Sequence, residues 1–141
     1  FLPPCFPIME VSMKAIEMNL AGKKHYLIFN GEAMFAIKDE FGGAKALLEE
    51  IEPNTREAFR AICKAIAILA EQGELVRRDL GYSPERIYTA EEFQRLALPE
   101  DIINMKKAIP LAITIGFGRE VESENEEVDL ALAELEQKKT T

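Results

Sequence analysis

Between Lys14 and Leu20 apolar and polar side chains alternate, with Ile16, Met18 and Leu20 on one side. A period of two is the spacing of a half-buried strand. Ala21-Gly22-Lys23-Lys24 supplies a turn and His25 to Phe29 a second extended run, so the segment predicts a β-hairpin. A hairpin alone is not stable in water. Its apolar face must pack on helices or pair with another chain's edge.

From Gly31 the period changes. Met34, Phe35, Ile37 and Phe41 suit a helix of about three turns that stops at Gly42-Gly43. Ala44 to Ile51 predicts another short helix, ended before Pro53. Thr55 caps the longest helix, in which Phe59, Ile62, Ile66, Leu69 and Val76 share a face that Ala58, Ala61, Ala65, Ile68 and Leu75 broaden. A face this wide belongs to a core rather than to a narrow coiled-coil seam. Gly73 is placed to end or bend that helix before Arg77-Arg78. Gly81-Tyr82-Ser83-Pro84 breaks the chain, and Thr89-Ala90-Glu91-Glu92 reads as a capping box for a helix through Phe93, Leu96 and Ala97. Leu98-Pro99-Glu100-Asp101 opens the last long helix, with proline at its start and two acids in the positive first turn. That helix carries Ile102, Ile103, Met105, Ile109, Leu111, Ile113 and Ile115, with a kink expected at Pro110 and a stop at Gly116 and Gly118. A hairpin followed by helices predicts an α+β, mainly helical fold, with the hairpin packed on the helical body.

The two ends differ from the middle. Residues 1–12 contain Pro3, Pro4 and Pro7, which exclude regular helix and central strand. They read as a non-native or disordered leader, whether added, left by processing or upstream of the true start. Met13 is the expected initiator and Met9 the second choice. Residues 13–118 form the expected globular domain. Residues 119–141 hold eight acids and three bases, and REVESENEEVD predicts a solvated acidic tether. Beyond it Val128, Ala131, Leu132 and Leu135 share a helical face, so a short amphipathic helix is expected. So short a helix needs a surface to fold against, from this domain, a second copy or another protein.

The 141 residues suffice for one domain, and the formal net charge of −8 argues against a nucleic-acid or anionic-membrane binder. The apolar stretch from Ala108 to Phe117 is too short to span a bilayer. Cys5 and Cys63 make neither a disulfide framework nor a metal motif. His25 is the only histidine and has no cysteine or second histidine near it, so it reads as a strand residue at the hairpin edge. Cys63 reads as a small buried hydrophobe. Arg77-Arg78 is offset by Glu71, Glu74 and Asp79, and Gly116-Phe117-Gly118 lacks the third glycine and the lysine of a phosphate loop. No catalytic, cofactor or metal residues are expected.

The order of segments carries more than any one motif. The hairpin MKAIEMNLAGKKHYLIFN, the helix EAFRAICKAIAILAEQGE, the segment LGYSPERIYTAEEF, the run LPEDIINMKKAIPLAITIGFGREVE and the ending EEVDLALAELEQKK occur together. In this arrangement, over residues 13–139, the chain resembles the tail assembly chaperones of long-tailed bacteriophages and prophages of Gram-positive bacteria. The resemblance implies a non-enzymatic protein of the host-cell cytoplasm, absent from the mature virion. It would bind the aggregation-prone tape-measure protein and help recruit tail-tube subunits. The family carries no invariant catalytic residues to transfer. The expected partner-binding positions are Tyr82, Tyr88 and Phe93, aromatics beside a chain break, together with Val128, Leu132 and Leu135. Ordinary core and loop packing is the competing role for the three aromatics. An acidic adaptor or regulator unrelated to phage tails, such as an antitoxin-like partner of a basic protein, is the alternative function.

Overall fold

The computed structural model describes residues 14–118 and 127–129. β1 (Lys14–Leu20) and β2 (Lys23–Leu27) form the expected hairpin, with Ile16 opposite Leu27, Met18 opposite His25 and Leu20 opposite Lys23. The turn is tighter than the sequence predicts. Ala21 and Gly22 alone make it, at φ values of 55° and 77°, while Lys23 and Lys24 belong to β2. Two successive residues at positive φ give the turn twist that matches the twist of the paired strands.

Five helices follow: α1 (Gly31–Phe41), α2 (Ala44–Glu50), α3 (Arg56–Asp79), α4 (Ala90–Leu96) and α5 (Pro99–Gly116). Local chemistry sets their ends. Asn30 Oδ1 accepts from Ala33 N at 2.9 Å to start α1, and Gly42, at φ 95°, closes it. Thr55 Oγ1 accepts from Ala58 N at 3.1 Å at the head of α3. Thr89 and Glu92 make both bonds of the capping box on α4. Pro99 occupies the first turn of α5, and Asp101 Oδ2 accepts from Leu98 N at 2.9 Å. α5 runs on through Pro110, whose carbonyl accepts from Thr114 Oγ1 at 2.8 Å.

The inner face of the hairpin, Ile16, Met18, Leu20 and Leu27, lies on Ile62, Ile66 and Leu69 of α3 and Met105, Ile109 and Ile113 of α5 in one core cluster. Phe93 of α4, Ile37 of α1 and Leu47 of α2 belong to the same core. The fold is α+β and mainly helical, as its periodicities predict. Among the described residues no strand lies between 44 and 118. Phe59, expected on the buried face of α3, is only half-buried. Ile66 has no exposed surface. Ile66→Ala should therefore cost about 2–5 kcal/mol, read as a lower urea midpoint at unchanged slope.

Phe35 of α1 and Ile103 of α5 face solvent. Two expectations are corrected. Gly73 neither ends nor interrupts α3, which runs to Asp79, because the glycine is needed for a close approach to β2. Val128 lies in a third strand, not in a helix. β3 (Glu127–Asp129) pairs antiparallel with β1, placing Asp129 opposite Lys14, Val128 opposite Ala15 and Glu127 opposite Ile16, so the sheet order is β2-β1-β3. Pairing with the edge of β1 fixes extended backbone there, which outweighs a local helical spacing. The leader of residues 1–12, the stretch 119–126, and Leu132 and Leu135 lie outside the described residues.

Candidate functional site

The extended segment from Tyr82 to Tyr88 connects α3 to α4 and forms a strap beside β2. Gly81, at φ 97°, turns the chain after α3, and Tyr82 N donates to Arg77 O at 3.1 Å. The last turns of α3 then hold the strap through side chains. Glu74, 8% exposed, accepts from Arg77 Nη1 at 2.8 Å, from Arg78 Nε at 2.9 Å and from the backbone N of Glu85 at 2.7 Å. Arg77 Nη1 lies 3.4 Å from Ser83 O, and Arg78 Nη2 donates to Glu85 O at 2.8 Å. The carboxylate of Glu85 also pairs with Lys23 Nζ on β2, which holds it below the usual carboxylate range. The strap is not a strand of the sheet, whose order is β2-β1-β3. The strap is anchored to the helix and only pinned to the strand.

Aromatic packing closes one end. The ring of His25, on the core-facing side of β2, sits edge-on to Tyr88 and Phe93 at centroid distances of 5.1 Å and 5.3 Å. Tyr88 and Phe93 stack at 5.6 Å, and the guanidinium of Arg86 lies over Tyr88 at 4.7 Å while pairing with Glu92. His25 is a strand residue on the edge strand β2, as expected, and is 7% exposed, so its ring is packed. Its Nε2 is buried without a hydrogen-bond partner. Burial, helped by the charge of Lys23, pushes its pKa down from 6.5 to about 4.

That depression is a stability statement. Protonation favours the unfolded chain, so the contribution is fully present above pH 6.5 and is lost as pH falls toward 4. The loss should reach about 2–3 kcal/mol at the acid end. His25→Phe keeps the aromatic contacts and removes the titrating group. Urea midpoints measured from pH 7.5 to 4.5 should fall less steeply for that variant than for the wild type, and parallel curves would exclude His25 as the cause.

Between β2, the strap and α3 lies a cavity of about 260 Å³, walled by Lys23, Lys24 and His25 on one side and Glu85, Arg86 and Tyr88 on the other. Glu74, Arg77 and Ala70 of α3 complete it. Cys63 lies elsewhere, buried in α3, and burial pushes its thiol up to about 12, so it is not a thiolate at neutral pH. Among the described residues no cluster of three His, Cys, Asp or Glu side chains could hold a metal ion. No described helix is long and apolar enough to cross a membrane.

Of the expected partner-binding residues, Phe93 is fully buried and Tyr82 nearly so, while Tyr88 is half-buried against the core. The strap brings Tyr88 and Phe93 together around His25, and Tyr82 packs 5.5 Å from Arg77 at its other end. Among the described residues the most exposed large apolar side chains are Phe35, Leu98, Ile103 and Phe117, at 57%, 61%, 69% and 60% exposure, with Leu80 and Leu96 less so. Sequence reasoning counted Glu74 only as an offset to Arg77-Arg78 and passed over it as the organiser of the strap. Its spacing of three and four residues from Arg77 and Arg78 was the available signal. No protein-family model, curated protein or solved structure matches the chain.

Proposed function

We propose that the protein is a non-enzymatic tail assembly chaperone that holds apolar segments of a tape-measure protein and helps recruit tail-tube subunits around it. The observation that carries the reading is the set of solvent-facing side chains Phe35, Leu98, Ile103 and Phe117 on a chain of net charge −8. Exposed apolar groups give a holdase its contacts, and net charge keeps the loaded protein in solution. The order of the hairpin, the long helix, the strap and the last helix supports the same family. Within this reading the chaperone acts in the host cytoplasm and is left out of the finished virion.

Co-expression with the tape-measure protein encoded in the same genome tests it. The tape-measure protein should become soluble and copurify, and replacing Phe35, Leu98, Ile103 and Phe117 together by serine should abolish the effect while the circular dichroism stays unchanged. Mass spectrometry of purified virions should find tail-tube protein and none of this chain. A tape-measure protein that aggregates equally with and without the chain overturns the reading. If a small basic protein copurifies instead, the adaptor alternative takes its place.

A further inference from the structure

We propose that the cavity between β2 and the strap is a binding socket for one small organic carboxylate, free or carried on an acidic side chain of a protein partner. Three observations converge on it. The first is charge. Lys23, Lys24, Arg77 and Arg86 line the cavity against Glu74 and Glu85, four cations to two acids, in a chain of net charge −8. Glu74 is engaged by Arg77 and Arg78, Glu85 by Lys23, and Arg86 by Glu92 outside the cavity wall. Lys24 is the least committed cation, since Glu17 stands 3.6 Å away, beyond hydrogen-bond distance, and the lysine side chain is half exposed.

The second observation is His25, more than nine-tenths buried in the cavity wall, with an Nε2 that meets no protein acceptor or donor. A buried polar atom without a partner is costly, and a ligand oxygen is one way to satisfy it. The third is size and wall chemistry. At about 260 Å³ the space falls below the usual range for drug-sized ligands and cofactors and suits a few carbon atoms and a carboxylate. Ala70, Ile87 and Tyr88 offer apolar wall to the carbon part, which favours an organic acid over a bare inorganic anion. A dianionic phosphate would also be placed close to the carboxylates of Glu74 and Glu85, with like-charge repulsion.

The test uses the full chain, labelled with ¹⁵N and titrated at pH 7 with butyrate, with a blocked alanine tripeptide carrying one glutamate, and with sulfate. Butyrate or the peptide should give saturable shifts at the amides of Lys24, His25, Tyr26 and Ile87, with movement of the His25 Nε2 resonance. Sulfate should not. The tighter of the two ligands identifies the source, a free acid or a partner's side chain. Lys24→Glu, an exposed reversal, should weaken binding by about tenfold or more, and Arg86→Gln should weaken it less. Shifts that rise linearly with all three compounds, sulfate binding as tight as the carboxylates, or unchanged affinity in both variants would each overturn the socket. The tape-measure experiment is unaffected by any of these outcomes, so the two proposals fail separately.

Discussion

Gly73→Ala should destabilise the protein by about 3 kcal/mol or more, against the usual sign of a glycine-to-alanine change within a helix. In an open helix that change stabilises by about 0.5–1 kcal/mol, because alanine has less backbone freedom to lose on folding. Here a Cβ would stand 1.7 Å from the carbonyl oxygen of Tyr26 and 2.7 Å from its carbonyl carbon. Both are main-chain atoms of β2, so no side-chain rotation relieves the clash. α3 would have to lift away from the hairpin, and the neighbouring bond from Ile28 N to Leu69 O, 3.2 Å long, would lengthen with it. A thermal midpoint lower by about 10 °C or more is expected for a domain of this size. Gly31→Ala is the control, since nothing lies within 4 Å of its added Cβ and φ is unrestricted. Gly116→Ala, which would meet Phe29 O at 2.3 Å, should behave like Gly73→Ala. If Gly73→Ala melts with the wild type, the close crossing of α3 over β2 is wrong.

That glycine shows where sequence reasoning stops. Thr55, Gly42, Thr89 with Glu92, and Pro99 act within four residues of themselves, so their capping roles are readable along the chain. Periodicity likewise marks Ile62, Ile66 and Leu69, because a helix must bury its apolar stripe against something. Gly73 has a glycine's ordinary look of a helix stop, and only the strand crossing it reveals a contact position. Val128 is ambiguous in a different way. Val128, Leu130 and Leu132 alternate with period two, while Val128, Ala131, Leu132 and Leu135 fit a helix, and pairing with Lys14–Ile16 decides for strand at 127–129. The cavity depends on contacts with no local signature at all. Lys23 and Glu85 stand 62 positions apart, and His25 meets Tyr88 and Phe93 only after the strap has folded back over β2.

Glu74→Ala should cost about 3–5 kcal/mol, far more than loss of an ordinary surface ion pair. Glu74 and Arg77 are 8% and 9% exposed, so their attraction is little screened by water. Removing the carboxylate takes the counter-charge from a buried guanidinium, the acceptor from Glu85 N and one of two ties from Arg78. Glu74→Gln, which keeps an acceptor but not the charge, should fall between wild type and alanine. Lys64→Ala supplies the exposed reference. Its pair with Glu40, 3.2 Å long with both side chains about half exposed, should contribute under about 1 kcal/mol. Hydrogen exchange separates loss of the strap from general weakening. In Glu74→Ala the Glu85 amide should lose its protection first, while the amides around Ile66 and Leu69 still open only with global unfolding. If Glu74→Ala costs no more than Lys64→Ala, the buried carboxylate does not hold the strap. The cavity would then have a wall fastened mainly by Lys23 and by the packing of Tyr88 on Phe93.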